Sequence, residues 1–277
     1  MNVRAFCKIN LFLEITGKRP DGYHTLETIF QTVSLGDELS FRLAPELTMT
    51  CSDSTLPTDE RNLVMRAALR LREALKEPQG ARIHLKKIVP MGAGLGGGSS
   101  DAAAVLLALP KLWKRRVSPD VLFEIARTLG ADVPFFLKGG TAVGRGIGDQ
   151  LTSLPKLRKT WLLLVYPNFG VATKEAYARV QLPLADPQSV ERIIPDLKSA
   201  DPEVWAPNLF NRFESLVFPG YPLLNVLKVQ LKDMGAVAAL MSGSGSTVFG
   251  VVDSETKGRQ LLNKIRKTYR QSWLVHT

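Results

Sequence analysis

The sequence predicts an α+β protein of two domains, and three observations lead to that prediction. The chain has 277 residues, which is long enough for two domains of ordinary size. Its first residues alternate in polarity as a β-strand does. In its second half, strands and helices follow one another in the order of a ferredoxin-like α+β sandwich. Residues 154–159, with Pro155 and several basic side chains, are the predicted boundary, so the domains span 1–155 and 156–277.

The N-terminal strand carries two polar side chains on one face. Apolar residues occupy its odd positions from Val3 to Leu13. The opposite face includes Lys8 and Asn10, which therefore point the same way, about 7 Å apart, whereas Cys7 points away.

Periodicity and turn residues place the remaining elements of the first half. Strands are expected at residues 23–33, 38–43, 47–52 (an edge strand) and 82–89, with strand-like residues at 139–151. Helices are expected at residues 59–76 and 100–109. Another helix begins at Ser118, with Pro119 in its first turn, and ends at Gly130. Residues 131–137 fit an apolar loop or a short strand.

The second half gives the same kind of pattern. Strands are expected at residues 161–166, 237–241, 247–253 and 273–276. Helices are expected near residues 173–180, 187–199, 208–217, 222–234 and 255–269. Residues 242–246, Ser-Gly-Ser-Gly-Ser, form a second loop of small residues that could present backbone donors.

The most informative segment is the glycine-rich loop at residues 91–101. Five glycines fall between Gly92 and Gly98 and lead directly into an apolar, helix-forming run. Glycine lets successive backbone N–H groups converge on one point, and a helix start adds N–H groups without intrahelical partners and a positive dipole end. The loop is therefore predicted to bind phosphate, and the chain to bind a nucleotide.

Other readings of this loop fit less well. A P-loop requires a lysine directly after its last glycine, but Ser99 follows Gly98. A dinucleotide site requires a buried strand before the loop, but the preceding strand carries charge on alternating positions. It also requires an acidic residue about 20 positions after the loop, where the sequence offers only Asp120, which belongs to the next helix start. A flexible linker is at odds with Leu95 and with the helix that follows at once.

Composition narrows the class of protein without deciding the function. No run of 18 apolar residues is found, so no membrane span is expected. Cys7 and Cys51 have no metal-binding or redox spacing, which favours a reducing, cytoplasmic location. The net charge of +10 fits either a nucleic-acid binder or a protein that holds anionic small molecules. The oligomeric state, monomer or homodimer, stays open.

Four segments together resemble one family. They are Ala5-Phe-Cys-Lys-Ile-Asn-Leu-Phe-Leu13, Arg19-Pro-Asp-Gly-Tyr-His24, the glycine-rich loop from Pro90 to Ser100, and Met241-Ser-Gly-Ser-Gly-Ser-Thr247. Their order and sequence are similar to those of the GHMP kinases. The resemblance implies a two-domain fold, with an N-terminal ATP-binding domain like ribosomal protein S5 and a C-terminal, substrate-side ferredoxin-like domain.

Within this family, the first two segments narrow the resemblance to a kinase of the non-mevalonate isoprenoid pathway. The implied reaction is ATP-dependent phosphorylation of the tertiary 2-hydroxyl of a cytidine diphosphate methylerythritol. The resemblance gives Asp132 the role of general base and Lys8 that of the catalytic cation. It implies that Asn10 forms a hydrogen bond either to the acceptor substrate or to the general base, Asp132.

The resemblance also implies the residues that hold ATP. These are Asn62 and Lys87 near the adenosine, and Pro90, Met91, Gly92, Ala93, Gly94, Leu95, Gly96, Gly97, Gly98, Ser99 and Ser100 around the phosphates. Mg²⁺ is expected because the phosphates need neutralising. Ser100 fits a metal ligand or a helix N-cap equally well, so no metal residue is assigned.

The cytidine end of the substrate is assigned by resemblance as well. Tyr23 and Tyr177 would stack on the two faces of the cytosine, and His24 would pair with its edge. Phe30 would line the pocket or belong to the core, and Thr173 matches a contact position.

Three alternatives stay open from sequence. The nearest is a sister kinase of the family that acts on mevalonate, homoserine or a sugar. A basic nucleic-acid-binding module and a non-catalytic nucleotide sensor are the others, although neither requires both Lys8 and Asp132. We therefore expect a small-molecule substrate rather than nucleic acid or a membrane.

Overall fold

The computed structural model describes residues 1–184 and 186–277, which form two compact units. The first unit comprises Met1–Cys7, Leu35–Pro90 and Gly96–Gly139, and the second comprises Lys8–Ser34, Met91–Leu95 and Gly140–Thr277. Two long strands near the N-terminus contribute residues to both units, so neither unit is continuous in sequence. The continuous domains 1–155 and 156–277 stay a prediction.

The strands of the described chain are β1 (Asn2–Lys18), β2 (His24–Ala44), β3 (Thr48–Cys51), β4 (Gly80–Lys86), β5 (Thr141–Arg145), β6 (Gln150–Ser153), β7 (Trp161–Val165), β8 (Phe210–Asn211), β9 (Ala238–Met241), β10 (Val248–Val252) and β11 (Ser272–His276). The helices are α1 (Leu63–Ala74), α2 (Gly97–Leu112), α3 (Pro119–Leu129), α4 (Val133–Phe136), α5 (Thr173–Ala178), α6 (Pro202–Trp205), α7 (Phe213–Val217), α8 (Pro222–Asp233) and α9 (Glu255–Ile265). Single 3₁₀ turns lie at Val190–Arg192, Asp196–Lys198 and Ala206–Asn208.

The first unit packs helices against a small sheet. The C-terminal part of β2 pairs antiparallel with β4, and β4 pairs in parallel with β3. Helices α1, α2, α3 and α4 lie against one another. Their apolar faces and those of the strands form one core, in which Phe41, Leu71, Ile83 and Leu106 are fully buried. Burial of this apolar surface is the main stabilising contribution to the unit.

Capping residues explain where the helices of the first unit begin. The Asn62 side chain accepts a hydrogen bond from the Val64 N–H at 3.0 Å at the start of α1. Ser118 caps α3 and Pro119 occupies its first turn, which confirms the prediction for this helix. Helix α2 starts after Gly96, whose φ of +66° lies in the left-handed region that favours glycine.

The second unit contains a ferredoxin-like sheet, as predicted. Strand β7, helix α8, strands β9 and β10, helix α9 and strand β11 form a βαββαβ unit. The sheet order is β11-β7-β10-β9, and each neighbouring pair is antiparallel. Helices α8 and α9 lie against this sheet, and Leu163, Leu227, Val248 and Leu261 belong to its core. In the same unit, β8 pairs in parallel with β1, with Phe12 opposite Phe210.

Two predictions about the first half are wrong. The segments 23–33 and 38–43 are one continuous strand, β2, that passes through Gly36. Glycine is needed there because a Cβ on Gly36 would lie 2.6 Å from the Ala5 carbonyl oxygen of β1, not because the chain turns. Residues 131–137, predicted as a loop or strand, include the short helix α4, with Pro134 in its first turn.

Two helix predictions for the second half are also wrong. Residues 187–199 form two 3₁₀ turns instead of one helix, because Pro195 lacks the N–H that a continuing helix requires. Residues 208–217 are divided into strand β8 and helix α7. Within the described residues, no helix has both the length and the apolar character that crossing a membrane requires.

Candidate functional site

The first half of the glycine-rich loop is fixed to the second unit through its backbone carbonyls. The Leu95 carbonyl accepts the Lys8 N–H at 3.0 Å, and the Ala93 carbonyl accepts the Thr247 N–H at 3.2 Å. These hydrogen bonds connect the loop to β1 and to the Ser-Gly-Ser-Gly-Ser segment. Residues 91–95 therefore have a defined backbone conformation rather than that of a flexible linker.

Gly94 is the tightest point of this part of the loop. Its φ is +75°, and a Cβ there would lie 2.0 Å from the Ser242 carbonyl oxygen. The Gly94 carbonyl accepts the Ser242 hydroxyl at 2.9 Å. The loop and the Ser-Gly-Ser-Gly-Ser segment thus approach so closely that only glycine fits at position 94.

Lys8 is buried and its ammonium has defined partners at this point. Its side chain donates to the Asn10 Oδ1 at 2.7 Å and to the Gly94 carbonyl at 3.1 Å. Its Nζ also lies 5.6 Å from the centroid of the Phe30 ring. Lys8 is only 4% exposed. The strand therefore holds a positive charge directly beside the glycine-rich loop, on the face that the alternation predicted.

The second half of the loop, in the first unit, is the start of helix α2. The helix runs for 16 residues from Gly97, and its first turn carries no acidic side chain. The first N–H groups of a helix lack intrahelical partners and lie at the positive end of its dipole, which favours an anion. Ser100 is not the N-cap, since that position belongs to Gly96. The Ser100 hydroxyl instead donates to the Phe6 carbonyl at 2.6 Å.

A buried cluster of charges lies beside this helix start. Lys87 donates to the Asp37 carboxylate and lies 3.4 Å from the Asp101 Oδ2, and all three side chains are almost fully buried. Burial, opposed by Lys87 and reinforced by Asp37, raises the pKa of Asp101 to about 8. The pKa of Lys87 is raised, because its attraction to both carboxylates outweighs its burial. Within the described part of the chain, the Asp101 Oδ1 has no hydrogen-bond partner.

Two further residues of the first unit that were predicted to belong to the site lie at helix starts. Asn62 uses both ends of its amide, since Oδ1 caps α1 and Nδ2 donates to the Pro57 carbonyl at 2.9 Å. Asp132 directly precedes α4, is half-buried, and does not cap that helix with its side chain.

The predicted cytidine residues of the second unit form a small aromatic group. The rings of His24 and Tyr177 are stacked, with centroids 5.2 Å apart and an interplanar angle of 19°. Tyr177 also meets Phe213 edge to face at 4.9 Å. Burial and the charge of Lys18 lower the pKa of His24, which keeps its imidazole neutral at neutral pH. Tyr23 is 63% exposed.

The Ser-Gly-Ser-Gly-Ser segment contacts a further predicted residue. The hydroxyls of Thr173 and Ser244 lie 3.1 Å apart, within hydrogen-bonding distance. Thr173 is also the first residue of α5, the helix that carries Tyr177. The second unit thus links the small-residue segment, through α5, to the aromatic group.

Family models match both halves of the chain. The model described as GHMP kinases N terminal domain matches residues 62–140, and the model described as GHMP kinases C terminal matches residues 193–271. A protein of Pelotomaculum thermopropionicum is 43% identical over 99% of this chain and 96% of its own length. The chain belongs to the GHMP kinases.

Named GHMP kinases extend this comparison. The Pelotomaculum protein and one from Chlorobium phaeobacteroides, 44% identical over 92% of this chain and 87% of its own length, are both named 4-diphosphocytidyl-2-C-methyl-D-erythritol kinase. A crystal structure of 4-(cytidine 5'-diphospho)-2C-methyl-D-erythritol kinase matches with a TM-score of 0.87 at 37% identity, over 100% of this chain and 98% of the other. The homoserine kinase of Cytophaga hutchinsonii, at 21% identity and a TM-score of 0.71 over 98% of this chain and 94% of its own, shares the fold.

Two buried polar residues near the candidate site of this GHMP kinase were not identified from sequence. Asn211 is buried, and its Nδ2 donates to the carbonyls of Met241 and Gly243 at 2.7 and 2.8 Å. It therefore fixes both ends of the turn into the Ser-Gly-Ser-Gly-Ser segment. Thr28 similarly accepts from the Asn10 Nδ2 at 2.7 Å. A polar residue inside an apolar strand or turn was the available signal in both cases, but its partners are distant in sequence.

Proposed function

We propose that this chain transfers the γ-phosphoryl group of ATP to the 2-hydroxyl of 4-diphosphocytidyl-2-C-methyl-D-erythritol, in the non-mevalonate route to isoprenoid precursors. The observation that carries the proposal is the Lys8 ammonium, fixed on the Gly94 carbonyl where the glycine-rich loop meets the N-terminal strand. A phosphoryl-transfer site requires a cation at such a loop, because charge moves onto the transferring oxygens. The names of relatives 43% and 44% identical support this substrate.

The two predicted catalytic residues have complementary roles in the proposed reaction. Asp132 accepts the proton of the 2-hydroxyl as its oxygen attacks the γ-phosphorus. Lys8 orients the hydroxyl and stabilises the negative charge of the transferring group. The reaction needs little covalent chemistry from the protein, so positioning and charge account for most of the rate enhancement.

The ATP phosphates are assigned to residues 91–100, with the strongest anion preference at the first turn of α2. Asn62 and Lys87 stay proposed at the adenosine end. Both ends of the Asn62 side-chain amide and the ammonium of Lys87 already have protein partners. We therefore assign Asn62 and Lys87 a role in shaping the pocket. Pro90 lies four residues beyond the end of β4, and its ring restricts the backbone directly before the loop.

Mg²⁺ is proposed as the partner of the phosphate oxygens. In the described part of the chain, no group of three or more His, Cys, Asp or Glu side chains could hold a metal ion. Magnesium keeps several waters and binds through one or two protein oxygens plus phosphates, so such a group is not required. When bound, it supplies charge neutralisation, and the Ser100 oxygen is the protein group proposed to face it.

The cytidine is assigned to Tyr23, His24 and Tyr177. The exposed Tyr23 ring can stack on the base, a contact of about 1–3 kcal/mol. The neutral His24 can both donate and accept a hydrogen bond, which suits the edge of cytosine. Tyr177 was predicted to stack on the second face of the cytosine, but its ring stacks on His24 in this structure. We therefore propose that Tyr177 holds His24 in place for that contact. We propose that Thr173 and Asn10 contact the diphosphate and erythritol groups of the substrate. The Phe30 ring lies against the Lys8 ammonium at this place.

Purified protein with ATP and Mg²⁺ tests the proposal when several acceptors are offered separately. We expect turnover with 4-diphosphocytidyl-2-C-methyl-D-erythritol and background rates with mevalonate, homoserine and galactose. Selective turnover of another acceptor would identify a sister kinase instead. Absence of turnover with every acceptor, together with salt-sensitive binding of oligonucleotides, would favour the nucleic-acid-binding alternative. A cytoplasmic location and a monomer or homodimer stay predictions.

A further inference from the structure

A chain of buried hydrogen bonds leads from a backbone carbonyl to the Lys8 ammonium. The Thr28 hydroxyl donates to the Phe12 carbonyl at 2.6 Å and accepts from the Asn10 Nδ2 at 2.7 Å. The Asn10 Oδ1 then accepts from the Lys8 Nζ at 2.7 Å. Thr28 and Asn10 are each 1% exposed, so water does not compete for these groups.

The donor and the acceptor of each hydrogen bond in this series are determined by the groups that form it. A carbonyl oxygen can only accept, so the single hydroxyl proton of Thr28 is used on the Phe12 carbonyl. The Thr28 oxygen must then accept from Asn10, which orients the NH₂ of the amide toward Thr28. The carbonyl end of Asn10 is consequently turned toward Lys8, where an ammonium is the required donor.

We infer that Thr28 is a positioning residue for Lys8: it sets the orientation of the Asn10 amide and thereby the place of the ammonium in phosphoryl transfer. The inference rests on the catalytic role proposed for Lys8. Without the Thr28 hydroxyl, the Asn10 NH₂ loses this buried acceptor, although its Oδ1 still accepts from the Lys8 ammonium. The amide can then shift toward another acceptor, and the ammonium bonded to its Oδ1 shifts with it.

The expected consequence is a slower chemical step with nearly unchanged substrate binding. Thr28 reaches Lys8 through Asn10 and does not lie among the residues proposed for the phosphates or the cytidine. A displaced ammonium stabilises the transferring charge less well, and displacement by about 1 Å can reduce the rate by roughly 100-fold. The KM values for ATP and for the acceptor depend mainly on other groups.

Thr28→Val is the direct test because valine keeps the shape and removes the hydroxyl. We expect kcat to fall by about 10- to 100-fold, with both KM values changed less than about threefold. Thr28→Ser should restore most of kcat, since it returns the donor and the acceptor. Thr50→Val, which removes an exposed strand hydroxyl bonded to His84, is the matched control and should behave as wild type. Wild-type kcat in folded Thr28→Val would overturn the inference.

A double-mutant cycle distinguishes positioning through Asn10 from a general structural role. If Thr28 acts through Asn10, Thr28→Val should add no further loss of kcat in an Asn10→Ala background. Multiplying losses would overturn the inference. If Thr28→Val does not fold, Thr28→Cys provides a weaker donor of similar size; intermediate kcat supports the inference and wild-type kcat opposes it.

The same measurements separate this inference from the proposed function. An inactive wild-type enzyme, or an active Lys8→Ala variant, would reject the proposed reaction or the role of Lys8. A wild-type enzyme that depends on Lys8 but not on the Thr28 hydroxyl would reject only the positioning role.

Discussion

Replacing Asp101 with asparagine should change how the stability of this protein depends on pH. Asp101 is 1% exposed, and burial raises its pKa from 3.8 to about 8. The folded protein therefore holds the Asp101 proton more tightly than the unfolded chain does. This difference favours folding at low pH, and the stability that it contributes is lost as the pH rises from about 4 to about 8.

The size of the effect follows from the two pKa values. Each pH unit between them lowers the free energy of unfolding by about 1.4 kcal/mol. From roughly pH 6 to pH 9 the loss is about 2–3 kcal/mol, because the change levels off near pH 8. For a chain of this size, that corresponds to roughly 5–10 °C in the unfolding midpoint. Asparagine does not titrate, so the variant lacks this loss.

The assay is thermal unfolding of the wild type and of Asp101→Asn across that pH range. Other titrating groups are common to the two proteins, so the difference between their midpoints isolates Asp101. Asp120→Asn, which changes an exposed acid in the first turn of α3, is the control and should follow the wild type. Wild-type and Asp101→Asn midpoints that stay parallel from pH 6 to pH 9 would refute the reasoning about the buried carboxyl.

Three further outcomes are expected at the site. Asp132→Asn and Lys8→Ala should each lower kcat by roughly 100- to 10,000-fold, while ATP binding measured by calorimetry is retained; near-normal turnover would remove that residue from the mechanism. Gly94→Ala should abolish turnover and lower the unfolding midpoint, because its Cβ would lie 2.0 Å from the Ser242 carbonyl oxygen, and a stable, active variant would contradict that close approach. Tyr23→Ala should raise KM for the cytidine substrate about tenfold or more through lost stacking, with KM for ATP unchanged, and an unaltered acceptor KM would exclude the stack.

The predictable parts of this molecule were those encoded by neighbouring residues. Alternation along the first strand was enough to place Lys8 and Asn10 on one face, and the structure joins their side chains at 2.7 Å. The glycine pattern was enough to predict a tight loop before a helix, and α2 begins at Gly97. The strand and helix order of the second half was enough to predict its ferredoxin-like sheet.

The unpredicted parts depend on residues that are distant in sequence. Thr28 meets Asn10 across 18 positions, and Asn211 meets Met241 across 30. Periodicity reports which face a side chain occupies but not which residue of another strand lies beside it. The orientation of Lys8 and the anchoring of the second loop could therefore be found only from the folded structure.

Lys87 illustrates how the type of a side chain can indicate the wrong environment. Lysine is usually solvated, and Lys87 directly follows the exposed Lys86, yet its ammonium is buried between two carboxylates. Asp37 makes this arrangement possible, because it also accepts the Val89 N–H at 2.8 Å and so holds the chain just after Lys87. A Cβ on Gly97 would lie 3.0 Å from the Lys87 Nζ, so the glycine at the start of α2 provides the space that the ammonium occupies. The glycine-rich pattern therefore serves two needs at once: an open backbone for the phosphate that we propose there, and room for the charge cluster beside the helix start.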